Sequence, residues 1–161
     1  GHPDRGGPIE ASTGSLGHGL GMAVGMAYAE YLKGTETRIY CVMSDGELQE
    51  GSTWEAARMA GQLKLDNLIV FVDANGYGGM EQIKASSTMF WDCGWETPRG
   101  INGHHSENMA STLRTRPGSG PCLMMASTIK GYGASFMRDR PIWHYKSPNA
   151  EEFAIAMAEN A

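Results

Sequence analysis

The sequence predicts an α/β domain built on a mainly parallel sheet with helices on both faces. Apolar runs at Ile39–Met43, Leu68–Val72 and Cys122–Ile129 read as buried strands. Between the first two lies a helical segment over 51–63, so the chain runs strand, loop, helix, strand, loop, the pattern of a parallel βαβ unit. Turn-forming residues follow both strands, Asp45-Gly46-Glu47 after the first and Asn75-Gly76 after the second. In open α/β sheets ligands bind beyond the carboxyl ends of the strands. Asp45 and Asn75, thirty residues apart, therefore fall at two adjacent strand ends.

The other elements follow in order. Residues 1–8 form a Gly/Pro loop, and Ser12-Thr13-Gly14-Ser15 leads into a helix running to about Lys33. Leu20, Ala23, Met26, Ala27 and Leu32 are its expected packing residues. Gly17, Gly19, Gly21 and Gly25 are unusual there, because each interior Gly costs about 1 kcal/mol relative to Ala. Close backbone approach to a strand or a ligand is the expected compensation. Helix 51–63 is expected to turn Trp54, Ala57, Met59 and Leu63 inward. Residues 81–88 read as a polar loop, 88–92 as a short helix and 95–99 as a further strand. Ser106 reads as the N-cap of helix 107–114. Ser147-Pro148 signals a last helix from about Asn149.

The chain of 161 residues is long enough for one domain with a sizeable core, so residues 1–161 are read as a single unit. A net charge of −5 argues against a nucleic-acid surface, and no apolar run approaches the roughly 20 residues of a membrane span. Cys41, Cys93 and Cys122 form an odd set without a CxxC, which points to a reducing, cytoplasmic setting.

Asp45 supplies a hard anionic oxygen and Asn75 a neutral amide oxygen, a set suited to Mg²⁺ or Ca²⁺ rather than zinc or copper. Between Ser44 and Met80 there are six acids and two bases. A diphosphate approaching that surface needs a bridging cation, which favours a metal–diphosphate cofactor without naming one. Taken singly, Asp-Gly-Glu is most often a turn and Asn-Gly a hairpin turn. The run from Asp73 also opens like a calcium loop, but its twelfth residue is Lys84 instead of a bidentate Glu.

The run SDGELQEGSTWEA…LKLDNLIVFVDANG resembles the thiamine-diphosphate motif of the transketolase family. GHPDRGGPIEASTGSLGHGLGMAVGMAYAE before it, and FWDCGWE, INGH, STIKGYGASFM and WHYKSPNAEE after it, resemble the family's landmarks in the same order. The resemblance implies a thiamine-diphosphate-binding fold, the diphosphate-binding domain, with Mg²⁺ as metal and Ca²⁺ or Mn²⁺ as substitutes. It implies metal ligation by Asp45, Asn75 and the backbone carbonyl of Tyr77. Gly14 and Leu16 are then placed against the aminopyrimidine ring, and Ser44, Asp45, Gly46, Glu47, Asn75 and His144 around the diphosphate. Catalytic roles are implied for His2, facing cofactor and substrate, for Glu50, in a carboxylate network across a subunit contact, and for His144.

The implied reaction moves a two-carbon ketol unit between sugar phosphates. A pyrimidine-binding partner, either a separate subunit or a C-terminal section, and an oligomer are expected with it. Relatives carry a further segment before the His-Pro turn, so a fragment or a short relative is expected. Another thiamine-diphosphate reaction, of the 1-deoxyxylulose-phosphate synthase or keto-acid dehydrogenase kind, and a non-catalytic module are the alternatives. Four positions depart from the pattern. Ser44 replaces the usual Gly, His18 a frequent Gln, His105 an Asp, and Tyr132 a small basic or polar residue.

Overall fold

The computed structural model describes residues 9–98, 100–115 and 118–161. Along the chain run α1 (Gly19–Lys33), β1 (Ile39–Ser44), a 3₁₀ turn (Asp45–Gln49), α2 (Gly51–Gln62) and β2 (Leu68–Ala74). There follow β3 (Tyr77–Gly78), β4 (Glu81–Gln82), α3 (Thr88–Asp92), α4 (Ser106–Thr115) and β5 (Cys122–Ser127). A second 3₁₀ turn (Pro141–His144) and α5 (Ala150–Glu159) complete it.

The main sheet has the order β1-β2-β5 with both pairings parallel. Asp73 of β2 lies opposite Ser44 of β1 on one side and Ala126 of β5 on the other, so all three strands end at one level. Strand β2 is central and buried on both faces, which is why its sequence is a continuous apolar run rather than an alternating one. Leu68, Val70 and Val72 pack with Leu20, Val24 and Ala27 of α1 and Ala56, Ala57 and Ala60 of α2. Ile69 packs on the opposite face with Cys122, Met124 and Ile101, and with Met109 and Leu113 of α4. Helices on both faces are thus observed.

The inward faces of α1 and α2 differ from expectation. In α1 the buried stripe is Leu20, Ala23, Val24 and Ala27, while Met26 and Leu32 are exposed. In α2 it is Thr53, Ala56, Ala57 and Ala60, and Met59 is exposed. At 3.6 residues per turn, Ala57 and Met59 point about 200° apart and cannot share a face. Small residues bring α2 close to its neighbours. A Cβ on Gly61 would stand 1.7 Å from the carbonyl oxygen of Cys93. Trp95 closes this corner, donating its indole N–H to the Ala57 carbonyl at 2.8 Å and packing edge-on to Phe90.

Among the described residues of the segment expected as a strand over 95–99, no strand is formed. Two isolated parallel bridges, Glu96 to Cys122 and Asn102 to Ser127, flank the ends of β5 instead. Pro98 between them has no N–H to give a ladder. Residues 81–88, read as loop, contain β4, which pairs antiparallel with β3 as a two-residue hairpin. Helix α4 starts at Ser106 itself, and His105 takes the capping place, with the Asn108 N–H 3.4 Å from its Nδ1. Among the described residues no helix is long and apolar enough to cross a membrane.

Candidate cofactor site

The turns after β1 and β2 meet at the carboxyl end of the sheet. Asp45 begins the 3₁₀ turn and is fully buried. Its Oδ2 accepts the Gly76 N–H at 2.7 Å, which joins the two turns directly. Its Oδ1 is buried and has no hydrogen-bond partner among the described residues. Burial raises the Asp45 pKa above the ordinary carboxylate value, and the nearby charge of Asp73 adds to this. The N–H groups of Gly76, Gly46 and Tyr77 oppose it.

Asn75 stands in the second turn. Its Oδ1 accepts the Tyr77 N–H at 3.1 Å and its Nδ2 lies 3.4 Å from Asp73 Oδ2. Positive φ at Gly76 lets the chain reverse there, so that the 45–46 and 75–78 segments lie against each other. A Cβ on Gly46 would come within 3.4 Å of the Gly78 Cα. Asp45, Gly46, Asn75 and Tyr77 are therefore brought together.

Of the other expected residues, Ser44 and Glu47 adjoin this centre directly. Glu47 bridges two main-chain donors, taking the Ser44 N–H on Oε1 at 3.1 Å and the Gly17 N–H on Oε2 at 3.0 Å. Glu50 is exposed and stands at the N-cap position of α2 with no side-chain capping bond among the described residues. Gly14 is exposed, and Leu16 is 51% exposed. His144 is exposed at the end of the second 3₁₀ turn, with its ring edge-on to Tyr145 at 4.7 Å. Its segment is tied to the centre through Tyr77, whose hydroxyl donates to the Asp139 carbonyl at 3.1 Å. His2 lies outside the described residues. Buried Cys41 sits behind the site, its thiol pushed up to about 11 by burial and, secondarily, by the charge of Glu47. Among the described residues no cluster of three or more His, Cys, Asp or Glu side chains is placed to hold a metal.

Three contacts were not read from the sequence. Lys130 brings a cation to this acidic surface, with Nζ 5.9 Å from the Tyr77 ring centroid. Thr128 hydrogen-bonds Asp73, tying the end of β5 to that of β2. His104 accepts the Ile129 N–H on Nε2 at 2.8 Å and stacks on Tyr132 with centroids 3.8 Å apart. The surplus of acids over bases between Ser44 and Met80 is the signal that a basic residue from elsewhere belongs here.

Residues 1–157 match the family model described as "Transketolase, thiamine diphosphate binding domain". The chain belongs to the transketolase family. It is 40% identical to one subunit of the apulose-4-phosphate transketolase of Actinobacillus succinogenes, over 94% of this chain and 57% of that protein. It is 36% identical to a 6-deoxy-6-sulfo-D-fructose transketolase subunit from a Clostridium species, over 94% of this chain and 58% of that one. Among solved structures, transketolase from Campylobacter jejuni superposes with a TM-score of 0.81 at 31% identity, covering 94% of this chain and 26% of its own. The chain thus spans a little over half the length of these subunits and about a quarter of a full transketolase. The parallel sheet with its two helix layers is the transketolase-type fold.

Proposed function

We propose that this chain holds Mg²⁺–thiamine diphosphate at the carboxyl ends of β1 and β2. In this reading it forms the diphosphate-binding part of a two-chain transketolase acting on sugar phosphates in the cytoplasm. The observation that carries the reading is the Oδ1 of Asp45, buried and without a hydrogen-bond partner among the described residues. A desolvated carboxylate oxygen without a donor is costly unless a cation takes it. Asn75 and Tyr77 flank Gly76, whose N–H the other Asp45 oxygen accepts, and Mg²⁺ needs only a few protein oxygens, the rest coming from water and phosphate. The donor set therefore fits a metal–diphosphate group.

In this reading Asp45, Asn75 and the Tyr77 carbonyl hold the metal. Ser44 and Gly46 line the diphosphate, Lys130 offsets its charge, and Glu47 ties the surrounding loops together. Leu16 and Gly14 face the ring, and His144 and His2 serve the diphosphate and the sugar. Imidazole suits such a site because it can donate to phosphate or accept from a hydroxyl. Glu50 reaches the partner. Bound thiamine diphosphate supplies the electron sink for ketol transfer, and the protein's share is to orient the cofactor and the sugar.

Two relatives are named as subunits, which supports a need for a pyrimidine-domain partner and an oligomer. The test is to mix this chain with such a partner and follow ketol transfer from a ketose phosphate. Activity should appear only in the mixture and be lost with Asp45→Asn. Full turnover by this chain alone would refute the two-chain reading.

A further inference from the structure

Gly17 is held more tightly than a loop residue needs to be. Its N–H donates to Glu47 Oε2 at 3.0 Å, and its carbonyl accepts from Ser52 Oγ at 2.9 Å. Both of its main-chain polar groups are thus taken by side chains from the segment that follows β1. It adopts φ +77°, and a Cβ there would lie 2.5 Å from Ser52 Oγ and 2.7 Å from Glu50 Cβ. The second oxygen of Glu47 accepts the Ser44 N–H at 3.1 Å. One carboxylate therefore fixes the loop before α1 to the residue that precedes Asp45. Charge-assisted bonds of this kind are about twice as strong as neutral ones.

What this clamp displays is Leu16, the residue beside Gly17, at 51% exposure. Two residues before it, exposed Gly14 has nothing among the described residues within 4 Å of where a Cβ would be. A rigidly held backbone carrying an exposed Leu, coupled through one side chain to the Asp45 turn, suits a flat heteroaromatic ring whose anionic tail reaches that turn.

We infer that Glu47 and Ser52 are positioning residues, which set Leu16 as the platform for the ring of the diphosphate cofactor without touching the diphosphate. This rests on the cofactor reading above and separates two parts of the binding free energy. Pyrophosphate carries the tail alone, whereas thiamine diphosphate carries tail and ring.

Calorimetry in excess Mg²⁺ with both ligands tests this on the parent chain and on Ser52→Ala, Ser52→Thr and Glu47→Gln. Ser52→Ala should weaken thiamine diphosphate binding by about tenfold, the scale of one hydrogen bond. It should leave pyrophosphate unchanged, and Ser52→Thr should restore the parent value. Glu47→Gln should also weaken thiamine diphosphate, while pyrophosphate stays level or tightens because a negative charge has gone. Equal weakening of both ligands, or no change in either, would overturn the clamp. Equal affinity of the parent for both ligands would overturn it too, while leaving the diphosphate site standing. A parent that binds neither ligand would overturn the cofactor reading itself.

Discussion

Two glycines in helices give opposite predictions for the same substitution. Gly25 lies mid-way along α1, is exposed, and has nothing among the described residues within 4 Å of an added Cβ. Gly25→Ala should gain helix propensity alone, about 0.5–1 kcal/mol. Gly61 lies at the end of α2, where the same Cβ would stand 1.7 Å from the Cys93 carbonyl oxygen and 2.8 Å from its carbon. Relief requires the helix and the 93–95 segment to separate by more than an ångström, which strains the 2.8 Å bond from Trp95 to Ala57. Overpacking on that scale costs about 1–3 kcal/mol or more, which outweighs the propensity gain. Gly61→Ala should therefore be net destabilising, by about 1–2 kcal/mol after the two effects are combined. Urea unfolding followed by circular dichroism measures both. In a domain of this length each kcal/mol moves Tm by about 2–4 °C, so the two variants should fall on opposite sides of the parent. A Gly61→Ala variant as stable as the parent would refute the close approach of α2 to the 93–95 turn.

Asp45→Asn should stabilise the metal-free chain at neutral pH. The folded pKa of Asp45 is raised, so its contribution is fully present below the unfolded pKa and is lost as pH rises through the folded one. Thermal melts against pH should show parent stability falling across that window and the variant flat there. Added Mg²⁺ with diphosphate should raise the parent Tm and leave the variant unmoved. Trp95→Phe should cost about 1–2 kcal/mol in urea unfolding, because its buried hydrogen bond to Ala57 is lost. Lys130→Gln should weaken binding of a diphosphate and flatten its salt dependence, measured by calorimetry at two ionic strengths.

The sheet was legible because burial on both faces of β2 leaves a continuous apolar run, and because Asp45 and Asn75 each follow such a run directly. Their meeting in space follows from the parallel register, in which Ser44 stands opposite Asp73. Helix faces were less legible. Met26, Leu32 and Met59 are apolar yet exposed, so counting apolar residues misassigned them where the 100° step between residues would not have. The 95–99 segment has strand-like composition, but Pro98 offers no ladder N–H and its described residues make one bridge, Glu96 to Cys122. Ser106 is a common capping residue, yet the preceding His105 takes that place with a ring nitrogen. Lys130 comes from a loop distant in sequence, and its approach to the Tyr77 ring and the stacking of His104 on Tyr132 show only in the folded chain.

The central claim is that the Asp45 turn holds a metal–diphosphate group. Calorimetric titration of thiamine diphosphate, with Mg²⁺ and with Mg²⁺ removed by chelation, tests it on the parent and on Asp45→Asn. Binding should require Mg²⁺ and disappear in Asp45→Asn while the circular dichroism spectrum stays that of the parent. Metal-independent binding, or a folded Asp45→Asn chain that binds as tightly as the parent, would contradict it.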